Sequence, residues 1–517
     1  MKWRIKILIA IGIVVIAAIV IPVIHHYQLK AEVNAYIAQL KAQGEPLDVA
    51  QVIPPPVPAE QNDAPAFLKI ASKVDATWDV LESNRPPEMR MIAPGKAMVG
   101  WQQPDVRSSD GTNSWREIQA ALNQADDIIH TAQQITNRPQ LDFNFDYAEG
   151  FDNLKITNFI VLRRSALLLA AHAMFNLHQG DAGVAANDIH AILLEANAMQ
   201  HDRLEISELI QIAIANIASA TTWEILQTTN VTDDQLNELQ QDWSRFNFAT
   251  GGVNAQEVER AMGELTLAGW RGSAAGLNPY LSIISRAQAS LGMDTDDKSF
   301  WSGLKIRSKA FLWRYWWSYP DELRYLKGYE ASLNAVRSTS SGVSFLDALQ
   351  AQNKALDGLH VSSMSDDDYF SILLQDLDFH WLMSQSIDDL SSLNNKIMKA
   401  ETAQNIVVTA IALKRYQIKY GHYPTNLDSL GPKYLPGVPT DPVNAQPLHY
   451  RLNAGGIYLL YSVGENGKDD GGNPAFPKNY RGSNLFWTSN IALDWVWPQP
   501  ATTEEVQKYY ANLGRPN

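Results

Sequence analysis

The stretch that decides the fold is Ile160–Met199, IVLRRSALLLAAHAMFNLHQGDAGVAANDIHAILLEANAM. Leu167, Leu168, Ala171, Met174 and Phe175 make one helical stripe, and Ala185, Ile189, Ile192, Leu193, Ala196 and Met199 resume the same period. Between them Gly180 suits a left-handed C-terminal cap and Asp181 an N-cap, since glycine carries no Cβ and a carboxylate can accept from unpaired first-turn amides. This is a helical hairpin. A second follows: Leu209, Ile210, Ile212, Ile214 and Ile217 line one helix, then Thr232-x-x-Gln235 forms a capping box before Leu236, Leu239 and Trp243. Trp115–Thr136 and Ser344–Ala355 carry helical patterns too. The expected fold is mainly α, with an irregular α-helical domain over residues 60–395.

The chain has 517 residues, 45% hydrophobic, and no cysteine. It is long enough for several cores and too apolar for disorder. Without cysteine there is no disulfide, thiolate metal site or cysteine nucleophile. The net charge of −14 disfavours a phosphate backbone as partner, so no nucleic acid is expected. That charge is unevenly spread: the first thirty residues carry +4, residues 396–517 carry +3, and −21 falls between.

Ile7–Ile24 runs without a charge, about 27 Å as a helix and close to a bilayer core. Lys2, Arg4 and Lys6 before it place the N-terminus in the cytoplasm and the body in the periplasm. Residues 1–30 thus read as a cytoplasmic stub and transmembrane anchor in a bacterial inner membrane. The nearest signal-peptidase-like site, Val33-Asn34-Ala35, lies well beyond the run, so an uncleaved anchor is expected. Residues 31–59 hold an amphipathic stretch, Gly44-Glu45-Pro46 and the prolines 54–56 and 58, which read as a stiff periplasmic linker.

Phe311–Tyr319 packs six aromatic residues into nine positions. On a regular helix Trp313, Trp316 and Trp317 fall on one side, either as a buried stripe or as a surface for glycan or a membrane. No nucleophile elbow, zinc-protease motif, phosphate-binding loop or dinucleotide fingerprint occurs. His172 and His178 are turned too far apart on their helix to share a metal. Asp294-x-Asp296-Asp297 lacks the glycine and closing acid of a calcium loop, and Asp366–Asp368 suits a helix start. Asp142, Asp146 and Glu149, near aromatics, are the acids from which an unrecognised hydrolase site could be built.

Residues 396–517 read differently. Lys396–Tyr420 is a helix ended by Gly421 and Pro424. Leu448–Leu452 and Ile457–Val463 alternate as strands around the loop Asn453-Ala454-Gly455-Gly456, and Ala492–Trp497 suits a third. A long helix on a small antiparallel sheet is expected.

In this tail, Ala412-Leu413-x-x-Tyr416-x-x-x-Tyr420-Gly421-x-Tyr423-Pro424-Thr425, then Pro439-Thr440-Asp441-Pro442, then Tyr461-Ser462-x-Gly464-x-Asn466-Gly467-x-Asp469-Asp470-Gly471-Gly472, resembles the C-terminal domain of the major pseudopilin of type II secretion systems. The likeness covers about a fifth of the chain. It implies an α+β pseudopilin-like domain over 396–517 and a calcium site, for which Asp469 and Asp470 offer carboxylates and Asp494 could close the shell. The anchor has no acid where the family has its helix glutamate, and most of the chain separates it from the pseudopilin-like helix, so the fold is similar without the filament role. The Leu177-x-x-Gly180-Asp181 turn resembles tetratricopeptide-type hairpins, with no repeat at that period. The whole plan is similar to large uncharacterised envelope proteins of planctomycete and verrucomicrobial bacteria.

These readings point to a membrane-anchored periplasmic interaction protein without catalysis, accessory to a secretion or pilus-like assembly through a protein partner in the envelope. The alternatives are a glycan- or peptidoglycan-binding protein, using the Trp313–Trp317 aromatics, and the hydrolase.

Overall fold

The computed structural model describes residues 2–81, 85–107, 111–134, 140–151, 154, 159–273, 276–277, 308, 310–359, 383–384, 387–475 and 493–512. The acidic stretches at 294–297 and 366–368 lie outside them. The architecture is mainly helical with small antiparallel sheets.

Ten helices come first in chain order: α1 (Lys2–Ala42), α2 (Val49–Val52), α3 (Ala64–Leu81), α4 (Trp115–Gln124), α5 (Asp126–Gln133), α6 (Phe159–Gln179), α7 (Ala182–Ala198), α8 (Glu205–Ile225), α9 (Asp233–Trp243) and α10 (Phe248–Gly272). Helices Ser318–Thr339, Phe345–Asp357, Ile387–Tyr420 and Thr503–Asn512 follow. The α6–α7 hairpin forms as its caps dictate: Gly180 sits at φ 83°, and Asp181 accepts from the Gly183 and Val184 amides at 3.1 Å each. The Thr232–Gln235 capping box starts α9. Trp115–Thr136 is two helices rather than one, broken at Ala125, where no glycine or proline marks the bend. Among the described residues one helix, α6, is long and apolar enough to cross a bilayer; 67% of its apolar window is buried, as befits a core helix.

The helix of the tail begins at Ile387 rather than Lys396 and runs unbroken to Tyr420, passing through the expected boundary. It packs along α8, α9 and α10 and also against strand Tyr458–Ser462. Gly252 of α10 permits the approach, since a Cβ there would overlap the Ile397 side chain. Ile192, Trp223 and Leu236 of the helical body therefore share one core with Ile397, Ile406, Leu413, Leu460 and Trp495.

The strands are short. β1 (Arg90–Ala93) and β2 (Lys96–Met98) form a hairpin, β3 (Val106–Arg107) pairs β4 (Thr112–Asn113), and β5 (Thr440–Asp441) pairs β6 (Gln446–Pro447). The expected tail sheet is present as β7 (His449–Leu452), β8 (Tyr458–Ser462) and β9 (Trp495–Val496), antiparallel throughout. β10 (Gln499–Pro500) leaves the tail and adds in parallel to β2. The Trp223 indole donates to the Pro498 carbonyl at 2.9 Å, and Lys96 pairs with Glu505. The end of the chain is thus part of the body.

Residues 31–59 also differ from the free linker that their prolines suggest. Val33 and Leu40, on the last turns of α1, are buried, as are Leu47, Val49 and Val52. Asp48 and Gln51 form a capping box on α2, and Arg203 donates to the Val52 carbonyl at 3.2 Å. Glu45 is the hinge of this arrangement. Its carboxylate meets Arg260 at 2.5 Å and Arg337 at 2.6 Å, while Glu330 and Glu257 hold the other sides of those guanidiniums. The Arg260 side chain is wholly buried. Burial pushes the Glu45 carboxyl up, but Arg337 and Arg260 outweigh it and hold the group below its ordinary range.

Glu45→Ala leaves Arg260 buried beside one remaining carboxylate, so it is expected to cost about 3–5 kcal/mol. Denaturant titration of the purified chain measures this; a loss within error of zero would show that the tie carries no stability.

Candidate functional site

Three groups of residues stand out in the sequence, and the structure treats each differently. The first is the aromatic segment. Trp313–Trp317 is a π-helical turn, closed by the Ser318 amide donating to the Trp313 carbonyl five residues back. The wider turn breaks the common face expected for Trp313, Trp316 and Trp317. Trp313 turns inward, fully buried, edge-on to Trp270 at 5.8 Å and donating to Asp321 at 3.0 Å. Trp317 is half-buried. Tyr315 and Trp316 point to solvent at 47% and 38% exposure. Asp321 organises the inner side, accepting also from the Met383 and Ser384 amides; burial raises its carboxyl despite those donors. A helical wheel could not show this, because its fixed period assumes no inserted residue.

The second group is the acidic loop of the tail. Asp494 is buried beneath the loop, and its oxygens accept the amides of Asp470 (3.3 Å), Gly472 (2.8 Å) and Asn473 (2.9 Å). Burial raises its carboxyl against those three donors. Asp469 accepts from the Gly471 amide and the Tyr461 hydroxyl, both at 2.9 Å, which lower its carboxyl. Asp470 accepts from the Asn466 side chain at 2.8 Å. A hard cation needs oxygens converging on one point; in this arrangement each of the three carboxylates has at least one oxygen engaged by a donor of the protein. Among the described residues no group of three or more His, Asp or Glu side chains is placed to hold a metal.

The third group is Asp142, Asp146 and Glu149. They do not converge. Asp142 is buried, accepts the Asn144 and Val57 amides at 2.7 and 3.4 Å, and lies 3.7 Å from His201. Asp146 caps the short turn Tyr147–Glu149 by accepting from the Ala148 amide. Glu149 is exposed. Asp146 does line a cavity of about 580 Å³ between the end of α1, α2 and α10, bordered by Leu47, Ala261 and Leu265. The acid that sequence reading missed there is Glu264, half-buried, whose carboxyl is raised well above its ordinary range by burial and by Glu322. Its signal was faint: the last of three glutamates on α10, set between Gly263 and Leu265.

The histidines are separate, as their spacing implies. His172 pairs with Asp188 at 2.7 Å, and His178 stacks on Trp115 and meets the Trp101 carbonyl. Comparison with family models, curated proteins and solved structures finds no match to this chain.

What the interior does contain is several acids whose carboxyls burial raises. Burial lifts Asp202 and Glu224 to about 8, and Glu195 and Glu208 well above their ordinary value. Glu224 nonetheless ties the β1–β2 segment to α8 through the Met89 and Gly100 amides. The unfolded chain releases these protons above about pH 4.5 while the native one keeps them, so stability declines as pH rises from there toward about 8. His190, raised by its hydrogen bond to Asp242, and His172, raised by Asp188 against its burial, act with the same sign. Glu45, shifted down, acts oppositely and only at lower pH. Thermal melting is expected to show a midpoint several degrees higher at about pH 5.5 than at about pH 8.5; a flat or inverted profile contradicts the buried-acid reading.

Asp494→Ala removes the acceptor of three loop amides and is expected to destabilise the chain by roughly 2–4 kcal/mol, equally in chelator and in millimolar calcium. A rise in the wild-type melting point on adding calcium would instead show that the loop rearranges to bind it.

Proposed function

We propose that the chain is a single-pass protein of a bacterial inner membrane, with its N-terminus in the cytoplasm and its body in the periplasm. There it serves as a binding and structural module rather than an enzyme. The observation that carries this reading is the unbroken helix α1, which contains the uncharged run Ile7–Ile24 and then seats Val33 and Leu40 in the body. The run matches a bilayer core in length, and the cationic residues ahead of it set the orientation. A helical link continuous with both parts fixes the body's attitude to the membrane, which suits a docking module.

The partner class follows from the tail. Its likeness to the major pseudopilin supports a role as accessory to a secretion or pilus-like assembly, with a protein of that machine as partner. The end of the Ile387–Tyr420 helix offers a surface: Ile418 and Tyr420 are 42% and 49% exposed beside a slightly basic tail. Deleting the tail would not test this, because Trp223 and Ile397 belong to the core it completes. Surface variants do.

Crosslinking in intact membranes followed by purification is expected to recover an envelope partner with the wild type, and at least tenfold less with Ile418→Ser/Tyr420→Ser at equal protein level. An unchanged partner set overturns the docking surface. Release of the full chain by alkaline carbonate washing overturns the anchor.

A further inference from the structure

Eight of the sixteen large hydrophobic residues exposed among the described residues lie in two short segments: Val20, Val23, Ile24 and Tyr27 of α1, and Phe311, Leu312, Tyr315 and Trp316 around the π-helical turn. Isolated exposed hydrophobics are ordinary on a soluble surface, but a concentration of this kind marks something that covers it. The two segments touch. The His26 imidazole meets the Tyr315 carbonyl at 2.7 Å and stands edge-on to Tyr319 at 5.1 Å. His26 follows the last residue of the uncharged run by two positions. The aromatic turn is therefore docked where α1 leaves its apolar stretch.

The turn's own geometry points the same way. Its i to i+5 bond puts Trp313 inside against Asp321 and Trp270, and so delivers Tyr315 and Trp316 outward. Arg314 donates twice to the Arg271 carbonyl and lies near the Tyr315 ring, and Arg271 lies over the Tyr319 ring at 4.7 Å. Tryptophan, tyrosine and arginine beside the end of an apolar helix are the residues that settle at the headgroup level, where one side of each ring is apolar and the other wet. The body's charge of −21 between the anchor and the tail supplies no attraction to anionic lipid, so the contact would rest on the rings.

We infer that Phe311, Leu312, Tyr315 and Trp316, together with Tyr27, form a membrane-interface surface that rests in the outer headgroup layer of the same bilayer that α1 crosses. The inference builds on the anchor reading above and adds a second point of contact. Two contacts fix rotation about the α1 axis as well as height, which a lone spanning helix leaves open. The body then presents one defined side to the envelope.

The chain has no native cysteine, so single-cysteine variants can be labelled with an environment-sensitive fluorophore without further change. Full-length Trp316→Cys, Tyr315→Cys, Val14→Cys in the apolar run and Ile457→Cys on the tail hairpin would be reconstituted in dioleoylphosphatidylcholine vesicles. Each is read with shallow nitroxide lipid, and the label at 14 also with deep nitroxide lipid since it sits mid-run, with aqueous iodide and with soluble peptidoglycan fragments, and circular dichroism melting checks its fold. The expected result is that labels at 316 and 315 lose roughly half their emission to nitroxide lipid and are shielded from iodide, as is the label at 14, while 457 shows the reverse. Labels at 315 and 316 quenched only by iodide, with 14 quenched by lipid, overturn the interface and leave the anchor standing. Shielding of 315 or 316 by peptidoglycan fragments but not by lipid overturns it in favour of a glycan surface. A label at 14 that lipid does not quench overturns the anchor and this inference with it. Tyr315→Cys carries the test if Trp316→Cys does not fold.

Discussion

The carboxylate of Glu45 holds the two halves of this molecule in register. It lies just beyond the end of α1, between the buried guanidinium of Arg260 on α10 and that of Arg337 on the Ser318–Thr339 helix. A buried arginine without an anion would cost several kcal/mol, so the position of Glu45 is fixed by electrostatics rather than by the stiffness of the prolines after it. Fixing Glu45 fixes the end of α1, and with it the attitude of the apolar run, the seat of His26 on the aromatic turn and the mouth of the cavity beside Asp146. Loss of that pairing would leave residues 31–59 held by the burial of Val33, Leu40, Leu47, Val49 and Val52 alone, without the charge pairing that sets their register.

A second constraint is that the largest core is shared between the helical body and the tail. The Ile387–Tyr420 helix lies with α8, α9 and α10 on one side and the β7–β8 hairpin on the other, so body and tail bury the same apolar surface. β10 crosses back to pair with β2, tying residues near the C-terminus to residues near position 97. A helix-on-sheet unit in this setting is a component of a larger fold.

The interior is also unusually acidic. Burial raises the carboxyls of Glu195, Glu208, Asp202 and Glu224 above their ordinary range, and His172 and His190 are raised beside Asp188 and Asp242. Raised carboxyls of this kind can mark catalytic sites; Glu224 accepts backbone amides, whereas the carboxyl oxygens of Glu195 and Asp202 are buried without a hydrogen-bond partner among the described residues. They make the fold sensitive to pH.

What the sequence determined is what short range decides. The α6–α7 hairpin, the Asp181 and Thr232 caps, the hairpin loop at 453–456 and the separation of His172 from His178 all depend on residues a few positions apart, whose spacing states the geometry outright. The apolar run at 7–24 is legible for the same reason. The tertiary structure alone decided the rest. Nothing near Glu45 announces Arg260 or Arg337, more than two hundred residues away; nothing in 499–500 names β2 as its neighbour; and the Trp313–Trp317 turn inserts a residue that a fixed helical period excludes. The same holds for Asp494, whose place beneath the loop amides of Asp470, Gly472 and Asn473 no local spacing states. Local spacing fixes which atoms can meet within a turn, whereas charge pairing, register and ring exposure are settled by which distant surfaces the core brings together.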